Sequence, residues 1–175
     1  MKLLLIPVAA TALLAFVAPR AALDDPTIIA IFDAANTYDI ETGALALQKS
    51  HDKDVRALAQ QFSNDHTAVR QQGRDLAKKL AVKPTPPKEN PLAPDHMKAM
   101  KELRAKSGAA FDRAYADEEV RYHQQVLDAV NSTLLPAIQN DQLRAFVQKV
   151  GPAFQGHLQA AKQLQKTLAT GTAAR

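Results

Sequence analysis

The sequence predicts an all-α protein, an antiparallel four-helix bundle with a proline-rich arm and a short helix between helices two and three. Three observations lead there. Four stretches of more than twenty residues, interrupted only by Pro26 and Pro152, repeat apolar residues at steps of three and four, which draws one apolar stripe along each helix. Only 5% of residues are aromatic and Trp is absent, whereas strands draw on aromatic and β-branched side chains. The 175 residues suffice for one domain with a sizeable core, and the absence of Cys excludes a disulfide scaffold, a thiolate metal site and cysteine catalysis.

The amino end stands apart from this pattern. Met1-Lys2 is followed by an apolar run, Leu3 to Ala18, with no charge before Arg20. A basic start, an apolar stretch and a small-residue end describe a secretory signal peptide over residues 1–22. Pro19 and Arg20 make a poor cleavage site, so an uncleaved anchor is the alternative. The expected location is the periplasm or the outer membrane, with no membrane span after cleavage, and without Cys the chain is no lipoprotein. Residues 1–22 carry Lys2 and Arg20, so their removal leaves 20 basic side chains against 18 acidic ones. That balance is too even for a nucleic-acid partner, and no basic run is interleaved with aromatics. A protein partner in the envelope stays open, as does the oligomeric state.

Asp25-Pro26 opens the bundle domain, residues 23–168, as an N-cap followed by Pro at the first helical position. Helix one then runs to about Lys49, and Asp52 caps the next. Helix two, from about Lys53 to Ala81, has an unbroken seam of Val55, Ala59, Phe62, His66, Val69, Gly73, Leu76 and Leu80. Pro84, Pro86, Pro87, Pro91 and Pro94 forbid regular helix through the arm. A short helix over Asp95–Lys106 follows. Helix three spans about Ala109–Leu135 and stops before Pro136; its seam is Ala116, Val120, His123, Leu127, Val130 and Leu134. Helix four covers Asp141–Leu168, with Phe154, His157 and Ala161 on its seam and a kink expected at Gly151-Pro152. Residues 169–175 lack any pattern and read as a disordered tail. At ~1.5 Å per residue, helices of this length reach roughly 36–44 Å.

Three histidines, His66, His123 and His157, fall on seams where the pattern demands apolar residues. Helix one offers Glu41 at heptad spacing. Glu119 lies one turn before His123, Tyr115 one turn before that, and Asp65 beside His66. Burying an unpartnered polar group costs ~1–3 kcal/mol, so three such placements call for partners inside the bundle. One solution is a single transition-metal ion (Fe, Zn, Mn or Cu) held by Glu41, His66, Glu119, His123 and His157, with Asp65 and Tyr115 behind them. The other is a hydrogen-bonded polar layer. Folding the chain about residue 139 brings His123 level with His157; folding it about 51 leaves Glu41 some ~7 Å from the level of His66. His51 and His96 read as solvated, and Met97 with Met100 as packing. No phosphate loop, G-x-S-x-G or H-E-x-x-H is present.

Four short strings occur in order: Ile40-Glu41-Thr42-Gly43-Ala44-Leu45-Ala46, Asn64-Asp65-His66-Thr67, Phe111-Asp112-Arg113-Ala114-Tyr115 with His123, and His157-Leu158. Together they resemble the bacterial family described as domain of unknown function 4142, over roughly residues 25–168. The resemblance implies a ferritin-like bundle and export, without an established activity. A ferritin-like two-metal centre needs Glu-x-x-His on two helices. The residues three before the histidines are Gln48, Ser63, Ala93, Val120 and Phe154, so oxidase or iron-storage chemistry is not inherited. The expected function is therefore a non-enzymatic exported bundle holding one metal ion, for metal handling or envelope stress tolerance. A metal-dependent redox enzyme with Tyr115 near the ion, and an envelope interaction module with a structural histidine layer, are the alternatives.

Overall fold

Residues 23–90 and 92–173 are described by a computed structural model, and they are helical, with no strand among them. The expected signal peptide lies outside the described residues, as do residues 174–175 of the tail. No helix of the described residues is long and apolar enough to cross a membrane.

Helix α1 (Asp25–Lys49) starts one residue before the expected point. Asp24 is the cap, its side chain accepting the Thr27 N–H at 2.9 Å. Asp25 is occupied elsewhere: its carboxylate accepts the backbone N–H groups of Gln139 and Asn140 at 2.9 and 2.8 Å, tying the start of α1 to the last inter-helix turn. Ser50 ends the helix. Asp52 caps α2 (Lys53–Lys79), accepting from the N–H groups of Asp54 and Val55. The short link folds α2 back along α1. The two helices come close at Gly43, where a Cβ would run into Ser63 Oγ and come within 3.1 Å of the Ala59 carbonyl oxygen. Only glycine lets the two backbones come this near, and the contact lies about one turn from both Asp39 and His66.

Helix α2 closes with Ala81 in the left-handed region, φ 53°. Val82 N–H reaches the Ala77 carbonyl at 3.0 Å and Ala81 N–H the Lys78 carbonyl at 3.1 Å, the paired bonds of a Schellman cap that ordinarily selects glycine. Ala81→Gly is expected to raise stability by about 1 kcal/mol, seen as an upward shift of the thermal midpoint of a few degrees. The arm that follows is irregular and is pinned by Thr85 N–H to the Pro26 carbonyl at 3.1 Å.

Helix α3 (Ala93–Arg104) begins two residues early, with Pro94 in its first turn, where a missing N–H costs nothing. Met100 and Leu103 pack inward, but Met97 points to solvent, 66% exposed. Helix α4 (Gly108–Ala129) does not continue as α-helix to Leu135. It passes through a π-turn, Val130–Leu134, in which Leu135 N–H bonds to the Val130 carbonyl, and into α5 (Leu135–Ala137). Pro136 therefore sits inside a short helical turn just after the register shift instead of ending the helix. Helix α6 (Asp141–Ala173) runs unbroken through Pro152 and past Leu168. Thr167 and Thr170 hydroxyls donate back to the Gln163 and Lys166 carbonyls, and the backbone ladder persists where the apolar stripe has ended.

Helix α1 packs on α2 and α4, and α6 on α4 and α2. Three apolar clusters result. One gathers Leu45, Val55, Phe62, Phe111, Ala116 and Leu164; another, at the opposite end, gathers Ile28, Ile31, Leu134, Ile138, Leu143 and Val147. The third, Phe32, Leu127, Val150, Phe154 and Leu158, lies beside a layer of buried polar side chains.

Candidate metal centre

That layer is built by three helices giving one histidine each and a fourth giving a carboxylate. The rings of His66 (α2), His123 (α4) and His157 (α6) meet with centroids 5.1–5.5 Å apart, all three residues at most 5% exposed. Phe62, fully buried, lies 4.3 Å from the His157 ring and 4.9 Å from that of His123, while Phe154 stacks on His66. These aromatic walls fix the ring planes.

Each ring is also oriented from its outer side. His66 Nδ1 faces Asn36 Oδ1 at 2.9 Å, and the amide is turned that way because its Nδ2 donates to the Phe32 carbonyl at 2.8 Å. His123 Nδ1 donates to the Glu119 backbone carbonyl at 3.0 Å. His157 Nε2 donates to Asp65 Oδ2 at 3.0 Å. All three outer partners are acceptors, so each neutral imidazole spends its single N–H outward and turns a bare lone pair inward.

Those lone pairs converge. His66 Nε2 is 3.2 Å from His157 Nδ1, 3.4 Å from His123 Nε2 and 3.3 Å from Asp39 Oδ2, and His123 Nε2 is 3.5 Å from the same Asp39 oxygen. With Asp39 ionised, four acceptors face one another without a proton among them and repel. Ligands bound tetrahedrally at about 2.0–2.1 Å stand roughly 3.3–3.4 Å apart, close to the spacing of His66 Nε2 from the other three donors and of His123 Nε2 from Asp39. Neither oxygen of Asp39, 1% exposed, has a hydrogen-bond donor. The donor set, three imidazoles and a carboxylate, therefore fits a divalent transition metal.

The electrostatics agree. Burial, then the neighbouring His123 and His157, holds His66 well below the ordinary histidine range; burial also lowers His157. Both stay neutral and able to bind metal at neutral pH. Burial and Glu119 push the Asp39 carboxyl well up, and burial with Glu118 lifts Glu119 to about 8. Without a cation these acids hold their protons; a divalent ion would replace them.

This gives a sign for the pH dependence of the metal-free protein. Glu119, raised above its unfolded value, contributes stability that is complete below about pH 4.5 and is lost as pH climbs through about 8. The lowered histidines act in the opposite sense, below pH 6.5. Thermal melts in chelator are therefore expected to lose about 1–2 kcal/mol between pH 6.5 and 8.5, and Glu119→Gln to flatten that slope.

Of the residues expected at the site, His66, His123 and His157 are brought together, Glu119 lies against His123 with its Oε2 3.4 Å from Nδ1, and Asp65 braces His157 from a half-exposed position. Tyr115 is fully buried, and its hydroxyl interacts with the Glu119 carboxyl. Glu41 is not at the site. Its side chain is 52% exposed and pairs with His96 Nε2 at 2.8 Å. Two residues from Asp39, it stands some 200° around the helix, on the opposite face. His96 is consequently not solvated; it is buried and stacked on Tyr38 with centroids 4.2 Å apart. Asp39 and Asn36 are the residues that periodicity did not single out. The fold about residue 51 that left Glu41 out of level maps His66 onto 36, and that signal was sufficient to find the Asn36 partner.

A helical protein whose interior holds a histidine–carboxylate centre among its apolar clusters is the class that fold and site define. Within it, the chain belongs to the family described as Domain of unknown function (DUF4142), whose model matches residues 11–164. No curated protein and no solved structure matches the chain significantly.

Proposed function

We propose that this protein is an exported, ferritin-like antiparallel four-helix bundle that binds one transition-metal ion at His66, His123, His157 and Asp39. The observation that carries the reading is the inward convergence of three imidazole lone pairs whose tautomers are set by Asn36, the Glu119 carbonyl and Asp65. Glu119 supplies a second negative charge, so that Asp39 and Glu119 ionised together would neutralise a divalent ion. The amino-terminal apolar run supports export, and the four strings of the family pattern support the ferritin-like arrangement. The ion serves metal handling in the envelope.

A rival reading has one observation in its favour. A protonated Asp39 could donate to His66 Nε2 and make the cluster a structural layer in an envelope interaction module. Metal analysis decides between them. The untagged chain, expressed with its own residues 1–22 and purified without chelator, is expected to carry about one transition-metal ion per chain. Metal-free protein that also refuses Zn(II), Fe(II) and Co(II) in dialysis would leave only the structural layer.

A further inference from the structure

On the side of α3, a narrow seam too tight to hold a water runs among Asp39, Thr42, His96, Glu118, Glu119 and Tyr122. His96 joins it to the surface, since its Nε2–H donates to Oε2 of the half-exposed Glu41 at 2.8 Å. The His96 ring lies flat on Tyr38, whose hydroxyl accepts from Asn90 Nδ2 at 3.1 Å. On either side of this ring α3 is anchored, by Leu92 in one apolar cluster and by Met100 and Leu103 in another. A side chain turns at far lower cost than a docked helix lifts, so the ring can swing while the helix stays. Carboxylates mark the way inward: Glu41 outside, Glu118 in the seam, Asp39 and Glu119 at the centre. Asp39 is 1% exposed and has no donor on either oxygen, so the seam leads to a buried group that a cation would satisfy. The approach past half-exposed Asp65 is closed by the His157 ring, itself a donor and packed against Phe62.

We propose that a divalent metal ion enters and leaves the centre along this seam, with the His96 ring as its gate and Glu41 as the carboxylate that first meets the ion. The inference rests on the metal reading above. Turning the ring breaks its bond to Glu41, which frees that carboxylate for the incoming cation as the way to Asp39 opens. His96 is no ligand of the resting centre. It sets how fast the ion exchanges, while the four donors set how tightly the ion is held.

The test follows capture of Co(II) by the full-length metal-free chain in stopped flow, read from the visible absorption of the bound ion, and its release to excess chelator. His96→Ala, which removes both the ring and its latch, is expected to speed capture and release alike, each at least about tenfold. The dissociation constant should stay within about twofold of wild type, because a gate alters both rates equally. Glu41→Gln keeps an acceptor for His96 but loses the charge, so capture should slow at least about threefold and become less sensitive to salt. That position is half-exposed, and Glu41→Gln decides the matter if His96→Ala fails to fold. Capture at the wild-type rate by every folded variant of the pair overturns the gate and leaves the metal reading standing. So does a His96→Ala chain that binds Co(II) more weakly without capturing it faster. A wild-type chain that takes up no Co(II) overturns the metal reading itself.

Discussion

Titrated with Zn(II) after chelator treatment, His66→Ala is expected to bind at least about 100-fold more weakly than the unaltered chain. Structural zinc sites are worth roughly 10–16 kcal/mol over four ligands, so one ligand accounts for about 3 kcal/mol. His66 is also the ring in contact with every other donor: His123, His157 and Asp39 all lie 3.2–3.4 Å from its Nε2. A thousandfold excess of metal over the dissociation constant adds about 4 kcal/mol to the folded state, or roughly 10 °C in the thermal midpoint for a chain of this size. The variant should lose most of that gain. His51→Ala, at an exposed loop position, serves as the control and should keep it. Equal metal-induced shifts in wild type and His66→Ala would show that the ion, if bound, is held elsewhere.

Asp39→Asn should move stability in opposite directions with and without metal. In the metal-free protein the carboxyl is buried, pushed well up by burial, and without a donor on either oxygen. An amide of the same shape can donate one N–H to an inward lone pair of His66 or His123. That N–H takes the place of the proton a neutral Asp39 would offer, and removing a carboxyl that must be protonated to stay buried is expected to stabilise the metal-free chain at neutral pH by about 1–3 kcal/mol. The same change removes an anionic ligand, and metal affinity should fall about 100-fold. Chemical denaturation in chelator and in excess Zn(II) reads both signs. Should Asp39→Asn lower the stability of the chelated protein, the carboxyl belongs to a hydrogen-bonded layer and not to an ion.

Much of this architecture could be read from residue spacing, because a helix repeats its buried face every three or four positions and the long helices here obey that rule. The histidines were visible for the same reason: each interrupts an otherwise apolar seam. Asp39 was not, because α1 is buried across a broad arc that includes Ile28, Ile29, Ile31 and Phe32. When nearly every direction faces a neighbour, no single stripe identifies which carboxylate points inward, and Glu41 satisfied a heptad as well as Asp39 satisfied the geometry. His96 was missed for a different reason. It follows a proline-rich arm whose path no periodicity specifies, and only tertiary structure lays α3 beside Tyr38 and Glu41. The π-turn was equally invisible, since a one-residue slip in the ladder leaves the apolar spacing of Val130 and Leu134 unchanged.

The donors come from residues far apart in the chain, 57 positions between His66 and His123 and 91 between His66 and His157. Asp39 and His66 meet in the α1–α2 hairpin, but His123 and His157 join them only when α4 and α6 pack on it, so the full donor set exists only then. Ions of similar affinity compete by abundance in such a trap. For an ion held as proposed, the choice of element would thus be made by the surroundings in which the chain matures, and moving that event to another cellular space would change the cargo without altering a single amino acid.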